Sequence, residues 1–156
     1  MIAFRELRGE DVGLLTDRLA DDVEGGARIT VGPARWWELV RTDPCRYGWI
    51  IEHHGETIGY LDAEQDTEPE RWPGRGTPGG VVYLALLLFP AARGRGLARQ
   101  VLHEALTLPE LAAAPVLVAY VEPDNHPARR TLLGAGFLEH GTDPDGLVEH
   151  RRARAG

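Results

Sequence analysis

The apolar positions of this chain fall into two periods. Over residues 2–8, IAFRELR, apolar and polar side chains alternate, which predicts a first strand. GEDVGLLTDRLAD then sets Val12, Leu15 and Leu19 three and four apart, on one stripe of a helix, with acids in the first turn where the helix dipole favours them. Residues 21–32 carry no period and predict a loop that borders a site. Pro33 suits the first turn of a short helix over 33–41. Trp36 and Trp37 straddle a face of that helix, one turned inward and one free to line a substrate mouth. A hairpin follows, with strands near 47–53 and 57–66 and a turn at His54 and Gly55.

The segment TEPERWPGRGTPGG, residues 67–80, is dense in proline and glycine and predicts a long exposed connection, a kind of loop that is often functional. Too little chain lies on either side for it to divide domains. VVYLALLLF is apolar on both faces and predicts a central, buried strand. A helix is expected over 96–108 and another buried strand over 115–122. NHPARRTLLGAGF predicts a short helix with Pro127 in its first turn and Gly136 at its stop. FLEHG and LVEHRRAR predict two last strands around a TDPDG turn, and there are no internal repeats. This order predicts an α/β (α+β) fold in one domain over residues 1–156, a mixed sheet with helices on both faces.

Composition narrows the chemistry. Hydrophobic residues make up 43% of the chain, enough for a core, yet no apolar run reaches the roughly 18 residues of a membrane span. The first residues lack the basic-then-apolar order of a signal peptide, so the expectation is a soluble cytoplasmic protein with no membrane partner. A formal charge of −7 argues against nucleic acid as the partner and is compatible with a cationic substrate. Cys45 is the single cysteine; it excludes an internal disulfide and a cysteine-rich zinc site, and TDPCRYGW reads as a turn before a strand. The six histidines are scattered without metal-ligand spacing, so no metal is expected, and His126 reads as a cap residue.

One stretch does not follow from packing. Arg-Gly-Arg-Gly-Leu-Ala, residues 93–98, stands between the apolar strand and a helix. Glycines let the backbone turn tightly and leave amides uncovered, and free amides at a helix start attract phosphate. Arg93 and Arg95 add charge, so the stretch reads as a pyrophosphate cradle, or else as a basic loop with capping glycines. A P-loop would need Gly-Lys-Ser/Thr at its end, and a dinucleotide fingerprint would need a third glycine and an earlier strand.

This segment resembles the acyl-CoA loop of the GNAT superfamily of N-acetyltransferases, whose signature Arg/Gln-x-x-Gly-x-Gly/Ala is matched by Arg93, Gly96 and Ala98. A second block is similar too: Asn125, Ala128, Gly136 and Phe137 fall at the family's Asn-x-x-Ala and Gly-Phe spacings, and the two blocks span residues 81–137. The resemblance implies a mostly antiparallel GNAT-like sheet whose central strands splay apart near Leu88 and Tyr120, and acetyl-CoA as cosubstrate. It implies that amides around Gly94, Gly96, Leu97 and Ala98 hold the CoA pyrophosphate, beside Arg93 and Arg95. Backbone groups of Leu86 and Leu88 would pair with the pantetheine arm, and the Leu88 amide would steady the thioester oxyanion. Asn125 would bond the cofactor or cap the next helix, and Arg129 or Arg130 would meet the adenosine phosphate or form a solvated face.

The resemblance also marks departures. Relatives place a tyrosine seven residues after the helix Asn, and Leu132 stands there. Their usual base positions correspond to Leu84 and Tyr120, neither a carboxylate. Three readings stay open: Tyr120 with Glu122 on the same strand face, acting through water; Asp62 and Glu64 holding a cationic amine; or positioning alone, which supplies roughly 7–11 kcal/mol. The implied activity is acetyl transfer to a primary amine of a small molecule in a ternary complex. ETIGYLDAEQD and GFLEHGTDPDG are similar to the antibiotic- and siderophore-modifying branch, and Asp66, Glu68, Glu70 and Trp72 favour a polyamine or aminoglycoside-like cation. The alternatives are a catalytically degenerate acyl-CoA sensor and a protein N-acetyltransferase; relatives often form homodimers.

Overall fold

The computed structural model describes residues 1–22, 25–26, 31–66 and 80–154. Its strands are β1 (Ile2–Glu6), β2 (Arg46–His53), β3 (Glu56–Asp66), β4 (Val81–Leu88), β5 (Val116–Val121), β6 (Leu138–Thr142) and β7 (Val148–Ala153). Its helices are α1 (Asp11–Ala20), α2 (Pro33–Thr42), α3 (Leu97–Ala105), α4 (Pro109–Ala112) and α5 (His126–Gly134), with a 3-10 turn at Pro90–Ala92. The seven strands run in the order β1-β2-β3-β4-β5-β7-β6. The chain divides into two units, residues 1–63 with 86–95 and residues 64–85 with 96–156, so β3 and β4 each contribute to both.

In the first unit β1 pairs antiparallel with β2, from Ile2–His53 to Glu6–Trp49. The β2–β3 turn puts His54 at φ 52° and Gly55 at φ 80°, the two left-handed residues of a tight hairpin turn. The Phe89 N–H donates to the Ile58 carbonyl at 2.8 Å, joining the end of β4 to the start of β3 and making that pair antiparallel. The helical stripe of α1 buries Leu15 and Leu19 against Leu7, Trp36, Ile50, Tyr60 and Phe89. Asp11 takes the remaining inward place on α1: Arg5 grips it with two nitrogens, at 2.8 and 3.1 Å, and the Arg8 N–H donates to it at 2.7 Å. Trp36 is buried, as expected of one of the pair, while Trp37 is half-buried and packs against the same core.

In the second unit β4 pairs parallel with β5 over three positions, Val81–Val116 to Tyr83–Val118. β5 pairs antiparallel with β7 from Val116–Ala153 to Val121–Val148, and β7 with β6. The expected helix over 96–108 is shorter, ending at Ala105. Tighter turns carry the chain on to Leu108, which Pro109 pushes out of the helical region to ψ 136°. β4 is central in the sheet, as predicted, but it is not buried throughout. Ala85 is exposed and Leu86 and Leu87 are half-buried, because apolar residues on both faces require cover that β4 receives only at its two ends.

Candidate active site

The β4–β5 ladder stops at Tyr83–Val118, so residues 84–88 of β4 run on with no ladder partner on β5. The Phe89 N–H points to β3, and the alternation of a strand then turns the N–H of Leu88, and that of Leu86, to the opposite edge. An apolar strand edge without a ladder partner among the described residues suits an extended amide-bearing ligand added as a strand. On the β3 side the approach is close. A Cβ on Gly59 would overlap the Leu87 carbonyl oxygen and come within 2.9 Å of Leu88 Cα.

The loop beyond β4 carries Gly94 at φ 70° and Gly96 at φ 74°, the latter capping α3. Both conformations favour glycine, and a Cβ at either would meet nothing within 4 Å. Among the described residues no carbonyl accepts the main-chain N–H groups of residues 94–97. Leu97 and Ala98 begin the helix, whose first amides have no intrahelical partner. Open amides at a helix start, with glycines keeping side chains clear, fit an anionic diphosphate.

The arginines divide. Arg93 does not face that cradle with its guanidinium. Nε donates to the Leu88 carbonyl at 2.9 Å, and the two terminal nitrogens reach Asp22 at 2.6 and 3.2 Å, while its N–H is bound to Pro90. Asp22 is buried, which by itself would raise its carboxyl; the Arg93 guanidinium and the Gly25 N–H at 2.9 Å outweigh burial and hold it below the ordinary range. Arg95 is exposed, with one long contact to the Ala91 carbonyl at 3.4 Å. Asn125 caps α5, its side chain accepting from the Ala128 N–H at 3.4 Å, so of its two expected roles the structure displays the capping one. Arg129 is engaged with Glu139 at 3.0 and 3.1 Å and with the Pro123 carbonyl at 2.7 Å. That guanidinium also holds the Glu139 carboxyl below its usual range.

The proton-handling positions contain what the sequence led us to expect, and more. Leu84 and Leu132 are buried and apolar. Asp62 is taken: Arg46 binds both its oxygens at 2.9 Å and Trp36 Nε1 donates to it at 2.8 Å, which removes it as a ready anchor for a cationic amine. Tyr60 is buried, and burial, with Asp62 and Asp22 nearby, pushes its phenol well up. Glu64 and Glu122 are half-buried, and the Glu122 carbonyl accepts from the Asn125 N–H. Tyr120 stands two residues past the end of the β4–β5 ladder. Its hydroxyl donates to Glu149 Oε1 at 3.1 Å, and its ring stacks on Tyr83, centroids 6.2 Å apart. Tyr83 in turn donates to Asp66 at 3.3 Å. Sequence reasoning missed Glu149. The available signal was the alternation of VEHRRA, which sets Glu149 and Arg151 on one face of a last strand. Glu68, Glu70 and Trp72 lie outside the described residues. No group of histidine, cysteine or acidic residues suited to a metal occurs among the described residues, and no described helix is long and apolar enough to cross a membrane.

Residues 14–137 match the model of the acetyltransferase (GNAT) family. No curated protein matches the chain by sequence. Among solved structures, the aminoglycoside acetyltransferase AAC(6')-Ib in complex with coenzyme A is similar over 99% of this chain and 95% of its own, with 27% identity and a TM-score of 0.75. The same enzyme with coenzyme A and kanamycin shows 25% identity over 99% and 95%, at a TM-score of 0.73. An acetyltransferase from Thermus thermophilus, 22% identical over 98% and 97% with a TM-score of 0.75, shares the fold. With more than half of its length matched by that family model, this chain belongs to the acetyltransferase (GNAT) family and is an acetyl-CoA-dependent acyltransferase.

Proposed function

We propose that this enzyme transfers the acetyl group of acetyl-CoA to a primary amine of a small molecule, by direct attack of the amine on the thioester within a ternary complex. The observation that carries the reading is the β4 edge without a ladder partner on β5, leading into two left-handed glycines at the start of α3. In this reading the amides of Gly94, Gly96, Leu97 and Ala98 hold the pyrophosphate, helped by the helix dipole and the exposed charge of Arg95. Backbone groups of Leu86 and Leu88 align the pantetheine arm, and the Leu88 N–H faces the developing oxyanion. Arg93 contributes as a strut rather than a phosphate ligand, fixing the Leu88 peptide through its carbonyl. Tyr120 meets the amine, Glu122 follows just past the end of β5 rather than on the strand face the sequence suggests, and attack expels the CoA thiolate.

Two features support a small cationic amine: the formal charge of −7 and the likeness at 25–27% identity to an aminoglycoside-modifying enzyme. Fusing two reactants into one complex supplies roughly 7–11 kcal/mol, which lessens the demand on a dedicated base. The buried Leu84 and Leu132, at positions where relatives handle protons, favour a second reading, an acyl-CoA sensor without turnover.

The test is Ala98→Glu. Glu at the second position of α3 has a helical φ and suits the helix dipole, so the fold should be kept or slightly stabilised. A carboxylate there repels a diphosphate. Calorimetry should show acetyl-CoA binding to the unaltered chain and at least about a tenfold loss in the variant. Thiol release with a panel of primary amines should separate enzyme from sensor. Equal acetyl-CoA affinity in the folded variant would sink the cradle.

A further inference from the structure

Two tyrosines of the second unit share an arrangement that packing alone does not demand. Tyr83 on β4 and Tyr120 on β5 lie stacked, interplanar angle 19°, and each donates its single hydroxyl hydrogen to a buried carboxylate, Asp66 or Glu149, both 3% exposed. The Tyr120–Glu149 bond is cross-strand: the two residues are register partners on β5 and β7. Arg151, two residues on and on the same face, donates Nε to the other Glu149 oxygen at 2.8 Å and so fixes the carboxylate's rotation. A carboxylate accepts only, so the phenolic hydrogen is drawn toward Glu149, and the Tyr120 oxygen is presented to anything else as an acceptor.

We propose that Glu149 is a positioning residue for the attacking amine: by holding the Tyr120 hydroxyl hydrogen, it makes the Tyr120 oxygen an acceptor for an amine N–H. This rests on the proposed acetyl transfer. The place is apt because Tyr120 stands on β5 just where the ladder to β4 has ended, and the stacked rings offer a π face to a primary ammonium group. An amine donating one N–H to Tyr120 is oriented, with its lone pair directed away from the phenol. A hydroxyl free to rotate would instead compete as a donor for that lone pair. Asp66, Glu149 and Arg151 are charged groups bonded within this cluster.

The experiment uses the whole chain, acetyl-CoA, and spermidine and kanamycin as amine probes. Glu149→Gln preserves shape but lets an amide N–H face the phenol; Tyr120→Phe removes only the hydroxyl and keeps the stack. Each variant should raise the amine KM and lower kcat/KM for the amine about tenfold, while the KM for acetyl-CoA stays within about twofold. The double variant should lose no more than the worse single variant, because Glu149 acts through Tyr120. Losses that multiply, an acetyl-CoA KM that rises equally, or an unchanged amine KM in folded Tyr120→Phe would overturn the inference even if Glu149→Gln fails to fold. An unaltered chain that binds acetyl-CoA yet acetylates neither these probes nor any primary amine of the panel overturns the proposed function, and this inference with it.

Discussion

Replacing Asp22 by asparagine removes one charge from the pair that braces Leu88. The carboxylate is buried at 3% side-chain exposure and sits 2.6 Å from an Arg93 guanidinium that is 34% exposed. Removing one partner of a fully buried pair costs about 3–5 kcal/mol, because the other charge is stranded. Arg93 keeps a third of its surface in water, which solvates the stranded charge, and asparagine can still accept from the Gly25 N–H. The expected loss is therefore about 1.5–2 kcal/mol at pH 7, or roughly 3–8 °C in Tm for a chain of this size. The sign with pH follows from Asp22 lying below its ordinary value in the folded protein. Its stabilisation is fully present above the unfolded carboxyl value of about 3.9 and disappears as pH falls through the lower folded value. Urea unfolding of both proteins from about pH 7 down to about pH 3 should show the gap closing in acid. A gap below about 0.5 kcal/mol at neutral pH, or one that acid leaves unchanged, refutes the argument.

Gly59→Ala should be costly in stability and activity, since its Cβ overlaps main-chain atoms of β4 that cannot swing aside. About 1–3 kcal/mol of overpacking and up to a hundredfold loss in kcat are expected, read by urea unfolding and thiol release; a stable, fully active variant would contradict the close approach. His54→Asn should stabilise the β2–β3 hairpin by about 0.5–1 kcal/mol, because asparagine tolerates the left-handed φ of 52° better; thermal unfolding with no gain would refute it.

How far the sequence reached depends on the range of the signal. The hairpin turn, both ends of α5 and the start of α3 were legible because each depends on residues within a few positions: His54-Gly55, Pro127, Gly96. The partial exposure of β4 was not, since apolar content cannot say which neighbours are absent. Nor was Glu149, whose meaning depends on a register with Tyr120 across 28 intervening residues. Asp22 meeting Arg93 is likewise a contact across a separation of 71 residues.

By itself the sequence determined the element order, the loop of residues 93–98 and the family, because backbone freedom at glycine and proline and the period of apolar side chains are local properties. Only the tertiary structure decided what the charged side chains do there. It joined Arg93 to Asp22, bonded Asp62 to Arg46 and Trp36, and gave Tyr120 a carboxylate partner. The physical reason is that a buried charge must find an opposite charge or a donor wherever the fold brings one, and chain neighbours do not specify that partner.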